Sequence, residues 1–138
     1  MRVVFDTNII VSGLLWKGAT SLLFDAVERG DLTLCITQNI FEEINRVFSY
    51  PHIKRQLKLN DLQPDTVLSH LLRCSVLYED IHAVALVHDD PSDDMFLNCA
   101  LASNAHWIVS GDTHLKKIGK LGYIRIVSPA TFKRIIQL

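Results

Sequence analysis

No apolar run in this 138-residue sequence reaches the roughly 18 residues that a membrane span needs. The N-terminal MRVVFDTNII has no cationic region ahead of a long apolar one, so no secretory leader is expected. Cysteine is scarce. Cys35, Cys74 and Cys99 are an odd, scattered set in apolar surroundings. They do not make a disulfide framework and read as buried free thiols, which fits a reducing cytoplasm. The six histidines (His52, His70, His82, His88, His106 and His114) show no zinc-ligand spacing with them. Net charge is also small, at −1. That excludes a protein that holds nucleic acid by bulk positive charge. It leaves open a site of clustered carboxylates, whose negative field a bound metal offsets.

What the chain has is core material. Hydrophobic residues make up 49 % and charged residues 21 %, as expected of a globular chain with a real core. The length fits a single domain over residues 1–138. No repeat, low-complexity segment or linker interrupts it.

Short apolar runs alternate with amphipathic stretches. Arg2–Phe5 reads as a buried strand bounded by Asp-Thr-Asn. Leu22–Glu28 reads as a helix stopped by Gly30, and Leu32–Ile36 as a second strand. Thr37 is placed to cap a helix through Phe48, ahead of Pro51. His52–Cys74 reads as two helical pieces broken near Gln63-Pro64. Val76–Tyr78 and Ala83–Val87 fit either strand or extended loop. Asp89-Asp90-Pro91-Ser92 is a turn that opens a helix through Ser103. Trp107–Val109 is a strand, followed by Ser110-Gly111-Asp112 and a short helix. Tyr123–Val127 is the last strand, and Ser128-Pro129 opens a closing helix to Leu138. This alternation predicts an α/β fold, a parallel sheet with helices on both faces.

Ligands of such sheets bind beyond the carboxyl ends of the strands. Two strands here stop at aspartates, Asp6 and Asp112, so both acids are expected on one edge. Taken singly, each also fits an ordinary turn or helix cap. Glu43 needs a helical argument. Ile40, Phe41, Ile44, Val47 and Phe48 make an apolar stripe, with Glu43 at its border and Glu42 on the solvated side. Asp93 and Asp94 fall in the first turn of their helix, where the helix dipole alone favours acids. Periodicity does not separate these two.

The convergence carries the reading. Several carboxylates on one edge repel one another and take up protons unless a cation joins them. No Lys or Arg lies within a few residues of Asp6 or of Asp93-Asp94. Mg²⁺ or Mn²⁺, which favour oxygen ligands, is the economical partner. Such a site can polarise a phosphodiester oxygen and activate water. Thr7 and Asn8, beside Asp6, are candidate supports. Trp16 and Lys17 are weaker candidates for stacking a base and contacting phosphate, and Arg46, Lys54 and Arg55 for holding the backbone. All of these also fit a solvated surface. His88 and His114 lie near the acids without a feature that positions them for proton transfer.

Three blocks of the sequence resemble a known family: VVFDTNIIVSGLL, TQNIFEEINRVFSYP and DDPSDDMFLNCALASNAHWIVSGDTHL. In order, and over nearly the whole chain, they are similar to PIN domains, most of all to the toxins of toxin–antitoxin pairs. The resemblance implies a three-layer α/β/α sandwich around a mostly parallel sheet. It implies Mg²⁺- or Mn²⁺-dependent cleavage of RNA, a homodimer and a small antitoxin partner, with no membrane involved. By position, the family's four acids fall on Asp6, Glu43, Asp94 and Asp112, with Asp93 a possible contributor. Two other classes compete with the nuclease. A phosphotransfer or phosphatase domain uses acids at strand ends too, but a receiver-like site wants an acidic pair after the first strand, where this chain has Asp-Thr-Asn. A non-catalytic RNA- or antitoxin-binding module would not need all four acids.

Overall fold

Arg2–Phe5 forms β1, whose last three side chains are buried. A six-stranded sheet grows on both sides of it in the order β3-β2-β1-β4-β6-β5. The other strands are β2 (Thr33–Thr37), β3 (Ser75–Tyr78), β4 (Trp107–Val109), β5 (Lys120–Leu121) and β6 (Ile124–Val127). All neighbours pair parallel except β5 with β6. The computed structural model describes residues 1–83 and 93–138. The expected turn at Asp89–Ser92, and all of Ala83–Val87 but its first residue, lie outside them, as does His88.

The connections carry eight helices among the described residues: α1 (Thr7–Leu15), α2 (Ala19–Glu28), α3 (Gln38–Val47), α4 (Pro51–Leu59), α5 (Pro64–Cys74), α6 (Asp94–Ser103), α7 (Thr113–Ile118) and α8 (Pro129–Ile135). Parallel crossovers are right-handed. Steps from β1 to β2 to β3 therefore lay α1–α5 on one face. The return from β3 to β4 lays α6 on the other, where it packs on β1, β2, β3 and β4. The result is the three-layer α/β/α arrangement. Val3, Val4, Leu34, Ile36, Leu97 and Ile108 are fully buried between the layers. No single helix among the described residues is long and apolar enough to cross a membrane.

Two local expectations need correction. Thr7–Leu15 is a helix, where the sequence pattern gave no element between the Asp-Thr-Asn boundary and Leu22. Its Ile9, Ile10, Val11 and Leu15 are buried around most of the helix circumference, so no polar face marks it. The closing helix ends at Ile135, short of Leu138. Val76–Tyr78 resolves as strand, within β3. The hairpin strand β5 was not anticipated; it is only two residues long.

Gly13 lets α1 meet α2 closely. A Cβ there would stand 3.1 Å from the Thr20 carbonyl oxygen and 3.3 Å from the Phe24 ring. The two helices turn by 88° relative to each other. Ser12 Oγ and Thr20 Oγ1, 2.9 Å apart, hydrogen-bond across the junction.

Candidate metal centre

The chain leaves β1 toward β2 on one side, while β4 pairs on its other side. Such a switch of direction opens a crevice at the carboxyl ends of the two strands. Phe5 is in register with Val109, so the residues that follow them meet at this point. The backbone N–H of Asp6 donates to the Val109 carbonyl at 3.1 Å.

Asp6 is buried, at 5 % exposure. Its Oδ1 accepts the Ile9 N–H at 2.8 Å and so caps α1. Its Oδ2 accepts a short hydrogen bond from Ser110 Oγ. Ser110 Oγ in turn accepts the Asp112 N–H at 2.9 Å. One hydroxyl therefore links the Asp6 carboxylate to the backbone of Asp112. Burial pushes the Asp6 carboxyl up, and the negative charge of Asp112 adds to that; the bonds from Ser110 and Ile9 oppose it. Asp112 caps α7 through Oδ1, which accepts the His114 N–H at 2.7 Å and the Leu115 N–H at 3.1 Å. Cap chemistry is thus real for both acids. It occupies Oδ1 in each case.

Glu43 enters from α3, which Thr37 caps by accepting the Ile40 N–H at 3.4 Å. Glu43 is half-buried, and Glu42 is exposed with its Oε1 on Gln38. Thr7 Oγ1 donates to Glu43 Oε2 at 2.8 Å. Buried Thr7, the residue next to Asp6, thus ties Glu43 to the first turn of α1. Arg46 donates to Glu43 Oε1 at 3.1 Å, so one cation does reach the cluster, from the exposed side.

Asp94 reaches the same edge from the other face. β3 ends at the carboxyl edge and β4 starts at the opposite one, so α6 must run back between them with its first turn at the carboxyl edge. Asp93 and Asp94 are both buried there, at 8 % and 9 % exposure. The helix that carries them packs against β1 and α3.

Beside Asp6 and Asp112 lies an open cleft of about 490 Å³, walled by these two acids with Asn8, Ser12, Thr20 and Thr113, among others; Glu43, Asp93 and Asp94 are not in its wall. Asn8 is exposed at its rim. Trp16 and Lys17 are exposed in the connection between α1 and α2, just before Thr20 of the cleft wall. Lys54 lies elsewhere, beside Leu57 and Lys58 in a separate hollow on α4. The sequence reading missed Ser110 as a functional residue. Its only signal is a hydroxyl two positions before a strand-end aspartate.

The donors offered at this edge are carboxylate oxygens, and at Asp6 the charge of Asp112 adds a smaller upward push to that of burial. That chemistry fits a hard divalent cation.

One further expectation fails in part. The histidines and cysteines do contain one ligand-like spacing. His70 and Cys74 are four apart on α5 and lie together with Glu28. The helical repeat that joins them is short and lacks the second cysteine of a familiar zinc motif. Cys35 and Cys99 are fully buried, whereas Cys74 is only half-buried.

The sequence profile of the PIN domain matches residues 2–114. Among curated proteins, none has a matching sequence. In fold, the chain is similar to one in the crystal structure of VapBC2 from Rickettsia felis bound to a DNA fragment from their promoter. The TM-score is 0.60 at 13 % identity, over 91 % of this chain and 97 % of that one.

Proposed function

The chain belongs to the PIN domain family, and from that premise we propose that it is a divalent-metal-dependent ribonuclease acting as the toxin of a toxin–antitoxin pair. The observation that carries the reading is the Asp6–Ser110–Asp112 linkage. It holds two acids together at the switch point, one of them buried, beside an open cleft. Helix capping uses Oδ1 of each acid and leaves the cost of a buried carboxylate beside a second one without a counter-charge.

In this reading Asp6, Glu43, Asp94 and Asp112 hold Mg²⁺ or Mn²⁺, with Asp93 a possible fifth acid. The ion supplies Lewis-acid activation of the phosphodiester and of an attacking water. The chain's own residues orient the donors. Ser110 fixes Asp6 against Asp112, and Thr7 fixes Glu43, so the acids need no rearrangement when substrate arrives. Asn8 stands at the cleft rim to hydrogen-bond a phosphate oxygen or a water. Trp16 and Lys17 extend the cleft toward a base and the backbone of single-stranded RNA. Arg46, held on Glu43, lends positive charge at the outer side. A homodimer, a small antitoxin partner and a cytoplasmic site of action belong to the same proposal. They rest on the resemblance to toxin members of the family and on the shared fold with a VapBC2 chain.

The test is cleavage of tRNA, rRNA and single-stranded RNA by the purified protein with Mg²⁺, Mn²⁺ or EDTA, beside a Glu43→Gln/Asp112→Asn double variant. Metal-dependent cleavage that the variant lacks is the expected result. Equal cleavage by both proteins would overturn the reading, and so would no cleavage of any RNA.

A further inference from the structure

The opposite edge of the sheet carries a second cluster with different chemistry. Glu28 is the last residue of α2, and Cys74 the last of α5, directly before β3. Both helices end where their following strands begin, at the amino edge. This is as far from the strand-end acids as the layer allows. His70 stands one helical turn before Cys74, so both project from one face of α5. One ligand atom from each of Glu28, His70 and Cys74 falls within 4.8 Å of the others. His70 Nε2 is 2.8 Å from Glu28 Oε1, and Cys74 Sγ is 3.6 Å from the same nitrogen.

We propose that Glu28, His70 and Cys74 form a site for a borderline-soft divalent cation of the Zn²⁺ class, which clamps the end of α2 to the end of α5. The donor types decide the class. A thiolate, an imidazole and a single carboxylate suit Zn²⁺, whereas Mg²⁺ takes oxygen ligands. The spacing suits it too. With Zn–S near 2.3 Å and Zn–N near 2.05 Å, tetrahedral geometry puts sulfur and nitrogen about 3.6 Å apart, and nitrogen and oxygen about 3.3 Å apart. The sulfur–nitrogen separation already has that value. The nitrogen–oxygen pair is at hydrogen-bond length and opens by about half an ångström when the cation replaces the shared proton. Sγ is nearly equidistant from the two ring nitrogens, at 3.6 and 3.8 Å. The Nε2 lone pair therefore points away from Sγ, and the imidazole must turn by tens of degrees to aim it at a cation bound to both. The side chains of His70 and Glu28 are 40 % and 45 % exposed, which leaves an entry path and a fourth position for water.

Burial, and after it the charge of Glu28, push the Cys74 thiol up, against a smaller opposite effect of Arg73. Binding forms the metal–sulfur bond as the S–H proton passes to buffer, and the metal–nitrogen bond as the proton shared with Glu28 leaves Nε2, for Nδ1 in a neutral ring or for buffer in a protonated one; no electron is transferred. Loading adds a metal bridge between two helices of one layer whose ends the Glu28–His70 pair already joins.

The probe is Co²⁺, titrated into the full chain under reducing conditions. The expected signature is a near-ultraviolet sulfur-to-cobalt charge-transfer band with intense tetrahedral bands in the visible, both displaced by Zn²⁺. Cys74→Ser should abolish the charge-transfer band. His70→Gln and Glu28→Gln should each weaken binding by at least the roughly tenfold that loss of even an outer-shell partner costs. Glu28 is exposed and its glutamine is isosteric, so that variant reports even if Cys74→Ser folds poorly. An Asp6→Asn/Asp112→Asn variant should keep the band, which separates this site from the nuclease proposal. No band in the parent protein would overturn the inference. So would a band that survives Cys74→Ser, or undiminished affinity in Glu28→Gln.

Discussion

Thr7 donates from Oγ1 to Glu43 Oε2 at 2.8 Å, and it is the residue directly after Asp6. A glutamate on α3 is thus oriented by the first turn of α1, across the helical layer. Such outer partners typically matter by about 10–100-fold in affinity or activity. Thr7→Val should lower kcat/KM for RNA by about that factor and weaken metal binding in parallel, while Thr7→Ser should restore most of both. Steady-state kinetics across a Mn²⁺ series would show it. Equal activity of Thr7→Val and parent would mean that Glu43 needs no such support.

The helical phase of α3 makes a paired prediction. Glu43→Gln should reduce cleavage by more than the roughly 10–100-fold of an outer partner. Glu42→Gln removes only the charge of an exposed side chain and keeps an oxygen to accept from Gln38. Its cost should stay within the ~1 kcal/mol of a surface pair, with activity nearly unchanged. The reverse pattern would place the wrong acid in the site.

Asp6 makes a stability prediction with a definite sign. Its carboxyl is raised from the ordinary 3.8, with burial the largest cause. Between the unfolded and the folded value the native state holds the extra proton, so stability falls as pH rises through that window. Below 3.8 the carboxyl is protonated in both states and the penalty is absent. In EDTA, Asp6→Asn should therefore gain on the parent as pH rises from 3.8, and keep that gain at neutral pH. Urea unfolding of both proteins at several pH values measures it. A gain that shrinks with rising pH would show Asp6 to be net stabilised as an anion.

Metal should reverse that order. Mn²⁺ binding to the native state raises the parent's Tm by mass action, by about 2.7 kcal/mol of stability at a hundred times Kd. The Asp6→Asn/Asp112→Asn variant should show a much smaller rise. Thermal melts with Mn²⁺ and with EDTA would distinguish them, and an equal rise in both proteins would move the ion away from these acids.

Gly13 tests the junction beside the cleft. An alanine there gains up to ~1 kcal/mol in helix propensity. Its Cβ, however, meets the Thr20 carbonyl oxygen at 3.1 Å and Phe24 at 3.3 Å. The Thr20 carbonyl is backbone and gives way only if α2 moves, and overpacking of this kind costs about 1–3 kcal/mol. Gly13→Ala should lower Tm by a few degrees and perturb cleavage through Thr20. A higher Tm would mean that α2 yields easily.

Much of this molecule was legible as one-dimensional pattern. Apolar runs bounded by turn residues located β1, β4, β6 and most of β2, because strands buried on both faces read as continuous hydrophobic stretches. The stripe Ile40–Ile44–Phe48 gave α3 a phase, and that phase separated half-buried Glu43 from exposed Glu42. Alternation of strands and helices implied parallel pairing, which brought Asp6 and Asp112 to one edge from opposite ends of the chain. Helix α1 escaped the pattern because burial on nearly all sides removes the polar face that periodicity detects.

Contacts between residues distant in sequence were decided only in three dimensions. Ser110 acts through a hydroxyl placed between two acids, Thr7 through a reach across to α3, and Glu28 through the packing of α2 beside α5. Each depends on how whole elements cross, to within an ångström. The sequence by itself determined which residues are apolar, which are acidic and which end their strands. The tertiary structure decided which of those groups meet, because hydrogen bonds and ligand sets are set by distance and direction, and neither is encoded in local periodicity.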